Sequence, residues 1–80
     1  MSILATRVHE AIGTHVEFDD AMMHVELLDG RRISVPLAWF PKLARATREQ
    51  RSHWRWIGGG IGIHWEELDE DISIEGLLKP

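Results

Sequence analysis

Met23-His24-Val25-Glu26-Leu27-Leu28-Asp29-Gly30-Arg31-Arg32-Ile33-Ser34-Val35 is the stretch that decides the fold. Met23, Val25 and Leu27 alternate with His24 and Glu26, the period-two pattern of a strand with one face in a core. Asp29-Gly30 interrupts the pattern, and Asp-Gly is favoured in two-residue hairpin turns because both central positions need positive φ. The spacing predicts an antiparallel hairpin of Met23 to Leu28 with Arg31 to Val35, in which Ile33 and Val35 face the same side as Val25 and Leu27.

Upstream, His15-Val16-Glu17-Phe18-Asp19 alternates in the same way, so a further strand precedes the hairpin across Asp20-Ala21. Downstream, Pro36 removes a ladder donor and ends the third strand. Leu37 to Ala44 then changes to a helical period, and Pro41 is tolerable only in a first turn, which places a short helix at about Trp39 to Arg45. Thr47 and Gln50 have the spacing of a capping box and open a second short helix through His53. Trp54-Arg55-Trp56-Ile57 returns to strand character, and Gly58-Gly59-Gly60 permits a tight reversal into Ile61-Gly62-Ile63-His64-Trp65, where Ile61, Ile63 and Trp65 would share a face. Asp71 to Ile74 reads as an edge strand, and Glu75 to Leu78 as a closing turn whose leucines cover the core. The expected fold is α+β: one domain over residues 1–80, with a mainly antiparallel sheet of five or six short strands and two short helices after the third.

Eighty residues bury little surface, and with no cysteine neither a disulfide nor a thiolate metal site can compensate. Trp39, Trp54, Trp56, Trp65 and two phenylalanines are the available alternative, and they read first as core. The N-terminal apolar run is too short for a signal peptide and no stretch is long enough to span a bilayer, so a cytoplasmic location without membrane contact is expected.

Net charge is -4, but it is unevenly spread. Residues 31–55 carry seven bases against Glu49, whereas the flanking segments are strongly acidic. Two arrangements are open: the acidic ends fold back beside the basic centre and pair with it, or the basic segment 42–55 meets an anionic partner. Arg48, Arg51 and Arg55 would form one stripe if the second helix extended that far, with Trp54 and Trp56 interleaved. Such a stripe suits a protein partner or, as an accessory nucleic-acid-binding domain, phosphate contact and base stacking. The acidic flanks and the lack of a helix-turn-helix pattern weigh against nucleic acid.

Catalytic patterns are weak. Gly58 to Gly62 lacks the Lys-Ser/Thr of a phosphate-binding loop and precedes strand residues instead of a helix. His64 with Glu66, Glu67, Asp69, Glu70 and Asp71 has no defined ligand spacing and reads as a solvated acidic loop, with Asp69 or Asp71 accepting backbone N–H bonds. Ser2, Ser34, Ser52 and Ser73 lie outside any recognised nucleophile context. No catalytic residue, metal or cofactor is expected, and the chain reads away from an enzyme.

Asp29-Gly30-Arg31, Pro36, Trp39-Phe40-Pro41, Arg51, Trp54, Ile57-Gly58, Gly60, Gly62, His64-Trp65 and Leu68 to Ile72 together resemble a small bacterial family, domain of unknown function 2442 (DUF2442), over about Val16 to Leu78. The resemblance brings no biochemical activity with it. It implies a compact bacterial protein of a kind often encoded beside another small protein in arrangements suggestive of toxin and antitoxin pairs. Some members carry a helix-turn-helix extension, and these 80 residues match the stand-alone form. His64, Trp65, Asp69 and Asp71 stand at characteristic positions that turns and packing do not fully explain, which makes them binding candidates beside Arg48, Arg51 and Arg55. The expected function is therefore a noncatalytic protein-interaction module, antitoxin-like, whose partner is encoded nearby. Free strand edges and segregated charge would also let the chain form a homo-oligomer.

Overall fold

The computed structural model describes residues 11–79, so the readings that rest on Met1 to Glu10 lie outside it. Strands β1 (Gly13–Phe18), β2 (Met22–Leu27) and β3 (Arg32–Pro36) form an antiparallel sheet in that order. The expected hairpin is present, with Val25 opposite Ile33 and Met23 opposite Val35. Its turn differs. The Gly30 N–H donates to the Leu27 carbonyl (3.0 Å) and the Leu27 N–H to the Arg31 carbonyl (2.8 Å), which encloses three loop residues. Only Gly30 has positive φ (95°), as in a turn followed by a glycine bulge, so Asp29 is spared the left-handed conformation. Its carboxylate instead accepts from the Arg31 backbone N–H (3.0 Å) and Nε (2.7 Å).

A 3₁₀ turn (Leu37–Trp39) and helix α1 (Pro41–Arg45) replace the single helix expected from Trp39. The break falls at Phe40, immediately before Pro41 at the first helical position, where its missing N–H is harmless. Helix α2 (Arg48–Ser52) opens on the expected capping box: the Gln50 N–H donates to Thr47 Oγ1 (3.0 Å), and Gln50 Oε1 accepts from the Thr47 N–H (2.9 Å).

Strands β4 (Arg55–Ile57), β5 (Gly62–Trp65) and β6 (Glu70–Ser73) form a second antiparallel sheet, so the single sheet expected is in fact two sheets of three strands. Ile74–Leu78, expected as strand end and turn, is helix α3, which Ser73 caps by accepting the Gly76 N–H at 2.8 Å. Ile61 does not join Ile63 and Trp65. The strand begins one residue later, and Ile61 lies in the turn, 55% exposed.

Both sheets contribute to one core. Met23 and Val25 from the first meet Ile63 and Trp65 from the second, with Leu43 of α1 and Ile74 of α3, all with essentially no exposure. The rings of Phe18 and Trp65 meet edge to face at 6.4 Å across the sheets. Trp54 and Trp56 are partly buried against this core, but Trp39, read from sequence as core, is 67% exposed.

The sheets are also joined through backbone: the Gly13 N–H donates to the Gly60 carbonyl at 2.7 Å. Gly60 has φ 109°, and a Cβ there would stand 2.8 Å from the Gly13 carbonyl oxygen. Gly59, also at positive φ, has nothing within 4 Å of such a Cβ. Gly60→Ala should therefore cost about 1–3 kcal/mol from backbone strain, plus the clash, and destabilise clearly more than Gly59→Ala in urea unfolding.

Candidate functional site

The structure dismantles the arginine stripe. Helix α2 ends at Ser52, with His53 as its C-cap, so Arg55 belongs to β4 and shares no helix face with Arg48 and Arg51. Arg51 turns inward, donating from one guanidinium nitrogen to the carbonyls of Leu43 (2.9 Å) and Ala46 (3.1 Å) at the end of α1. Its own carbonyl accepts the Trp65 indole N–H at 3.0 Å. Arg51 thus ties α1 to α2 and, through Trp65, both to β5. It is a structural residue, and Trp65, with no exposed surface, cannot meet a partner directly.

Most of the remaining bases are engaged by the acidic ends, although Arg45 has no ion pair among the described residues. Arg48 reaches Asp20 at 3.1 Å with both side chains exposed, Arg55 reaches Glu66 at 3.4 Å, and Arg32 lies 3.6 Å from Glu17. Lys42 donates to the backbone carbonyl of Asp69 at 2.7 Å. Asp69 sits at φ 51°, so it is its carbonyl, held by Lys42, that fixes the acidic turn. The anticipated acceptance of backbone N–H bonds by Asp69 or Asp71 is replaced by this contact and by a pairing of Asp71 with His64.

That pairing follows from register. Arg55, His64 and Asp71 stand side by side on the outer face of the second sheet. His64 Nδ1 is in close hydrogen-bond contact with Asp71 Oδ1, and Nε2 lies 3.4 Å from Glu66. The hydrogen bond to Asp71 is the main cause that raises the His64 pKa above its ordinary value; desolvation and Arg55 oppose it, while the charges of Asp71 and Glu66 reinforce it. The result is an imidazole held between carboxylates, a clamp between strands.

A second relay was not read from sequence. On the outer face of the first sheet, His24 Nε2 meets Asp19 Oδ2 at 2.8 Å and Nδ1 meets Ser34 Oγ at 2.7 Å. Ser, His and Asp in series have the connectivity of a nucleophile relay. Here, however, Ser34 is exposed in mid-strand, where neither a sharp turn nor a helix N-terminus supplies an oxyanion site. Asp19 Oδ1 already closes the β1–β2 turn by accepting from Ala21 (2.9 Å) and Met22 (2.8 Å). Its hydrogen bond to His24, then those two N–H groups, lower the Asp19 pKa to about 2. The relay therefore secures a turn. It was legible in principle, since a hairpin centred on Asp29 must set His24 opposite Ser34.

A hollow of about 300 Å³ lies between Phe18, Asp19, Asp20, Arg48 and Arg51. A groove of about 400 Å³ runs beside β6, with Trp39, Phe40 and Leu77 as apolar walls and Asp71, Ser73 and Lys79 as polar ones. Trp39, the large aromatic most exposed to solvent, stands at this groove. Among the described residues no three His, Asp or Glu side chains converge as metal ligands, and no helix is long and apolar enough to cross a membrane.

The profile of the family described as "Protein of unknown function (DUF2442)" matches residues 14–80. The chain belongs to the DUF2442 family. Among solved structures, it is similar to a protein of unknown function from Rhodospirillum rubrum, 30% identical over 84% of this chain and 83% of that one, with a TM-score of 0.73. It is also similar to an uncharacterised protein from Chromobacterium violaceum, 23% identical over 95% of this chain and 71% of that one, again with a TM-score of 0.73; that likeness is one of fold. No curated protein matches. DUF2442 membership thus agrees with the fold and leaves chemistry to the residues themselves.

Two results should separate structural from peripheral side chains in this DUF2442 domain. Arg51→Met, which removes the guanidinium donor from the Leu43 and Ala46 carbonyls and leaves only that of Leu43 with a backbone N–H, should cost about 1–3 kcal/mol in chemical unfolding, whereas Arg48→Ala should leave the melting temperature nearly unchanged. Because the folded His64 pKa is raised, its pairing contributes fully below the ordinary histidine pKa and is lost as pH rises through the folded value. Asp71→Asn should return the His64 titration, followed by NMR, towards the ordinary range and flatten the corresponding pH dependence of stability.

Proposed function

We propose that this domain is a noncatalytic protein-interaction module whose contact surface is the groove beside β6. The observation that carries the reading is the exposure of Trp39, 67%, at the mouth of an apolar groove in a chain whose other tryptophans are buried or half-buried. An exposed tryptophan beside a pocket has the character of an interface anchor, since its large rigid surface gains most from desolvation. The groove is rimmed by Asp71 and Lys79, which suits it to discriminate among partners by charge. The specific form of the reading is an antitoxin-like half of a pair encoded by adjacent genes, in keeping with the family setting.

Nucleic-acid binding through residues 42–55 has less support. Of its five bases, Arg51 is turned inward, Arg48 and Arg55 face carboxylates, Lys42 is bound to a backbone carbonyl, and Arg45 is left without an ion pair among the described residues.

Co-expression with the product of the adjacent gene tests the proposal. The two should co-purify, and Trp39→Ala should weaken the complex at least tenfold, as loss of an anchor does, with an unchanged melting temperature. Absence of a complex, or one indifferent to Trp39→Ala, would overturn the reading. Retardation of generic DNA or RNA that collapses with rising salt would establish the alternative.

A further inference from the structure

β6 is an edge strand of the sheet β4-β5-β6. The Ile74 N–H donates to the Ile61 carbonyl at 2.9 Å, which sets the alternation of the antiparallel ladder. With His64 opposite Asp71 and Ile63 opposite Ile72, the peptide groups of Ile72 point to β5 and those of Asp71 and Ser73 point away from it. Among the described residues, no backbone bond from another element reaches the Asp71 peptide groups or the Ser73 N–H, while the Ser73 carbonyl, at the N-cap of α3, belongs to the first turn of that helix. The Asp71 N–H turns to the neighbouring Glu70 carboxylate at 3.2 Å, a local substitute for a strand partner. The groove of Trp39, Phe40 and Leu77 runs along this same edge. β6 has no proline or lysine, residues that commonly blunt an edge, and carries carboxylates instead.

Those carboxylates identify the occupant. Glu66, Glu67, Asp69, Glu70 and Asp71 crowd the turn and the strand. Glu66 is offset by Arg55, but Asp71 faces only His64, and Glu70 has no ion pair among the described residues. A second copy of this chain would bring the same acidic run against the first, a repulsive arrangement at close range. We infer that β6 accepts an extended, basic segment of a partner protein as a fourth strand of the second sheet. The Asp71 peptide groups and the Ser73 N–H supply the ladder, lysine or arginine side chains face Asp71, and the intervening apolar side chains enter the groove beside Trp39. This rests on the interaction reading above and specifies the partner's chemistry.

The probe is an acetylated, amidated octapeptide of alternating lysine and valine, titrated at low salt into the isotope-labelled domain. Shifts should concentrate at Glu70 to Ser73, Gly76, Leu77 and the Trp39 indole, and amide exchange at Asp71 and Ser73 should slow at least tenfold. A glutamate–valine counterpart should bind at least tenfold more weakly. Peptides N-methylated on every lysine or on every valine give the sharpest test: a ladder uses only alternate amides, so one should bind and the other fail. Equal behaviour of the two, or shifts confined to other surfaces, would overturn strand addition. The natural complex separates this idea from its parent. If Trp39→Ala breaks that complex while Asp71 and Ser73 amides stay unprotected within it, the interaction module stands and the added strand does not.

Discussion

The hydrogen bond from the Trp65 indole to the Arg51 carbonyl is the constraint around which the domain is organised. A fully buried indole must satisfy its N–H, and here the acceptor lies on a helix whose own arginine reaches back to the preceding helix. The ring meets Phe18 across the interface with the first sheet. One side chain thus locates both sheets and both central helices, and a domain of this size, without disulfides, depends on such shared contacts. His64, beside it in sequence, faces outward only because Trp65 faces inward.

What could be read from sequence is what depends on near neighbours. The hairpin of β2 and β3, the capping box of Thr47 and Gln50, and the place of Pro41 in the first turn of a helix are local, and all appear close to where residue chemistry places them. The division into two sheets was not legible, because strand alternation records which face is buried and says nothing about which strand lies alongside. The arginines misled for a related reason. A spacing of three and four residues implies a shared face only while the helix lasts, and α2 stops at Ser52. Arg51 then goes inward because carbonyls at the end of α1 need donors, a tertiary demand invisible in a periodicity. Trp39 erred in the opposite direction: between Pro36 and Pro41 the short 3₁₀ turn buries Leu37 and leaves Trp39 in solvent.

The charge segregation that suggests a basic binding surface is largely resolved within the fold. Arg48, Arg55 and Arg32 meet carboxylates from the acidic segments, and Lys42 anchors the acidic turn. What remains in excess is negative charge around β6, next to the apolar groove. The uncompensated surface is therefore mainly on the acidic side of the molecule, although the basic segment is the more conspicuous in the sequence.

Both sheets are meanders of strands consecutive in the chain, each joined by a short connection. Every strand pair can consequently form with little loop-closure entropy, and neither meander needs the other to establish its register. The non-local step is the meeting of the two halves, in which Gly13 finds Gly60 and Phe18 finds Trp65. Folding speed should then be governed by a single docking event between preformed halves, and side chains at that seam will weigh on the rate more than those in either turn.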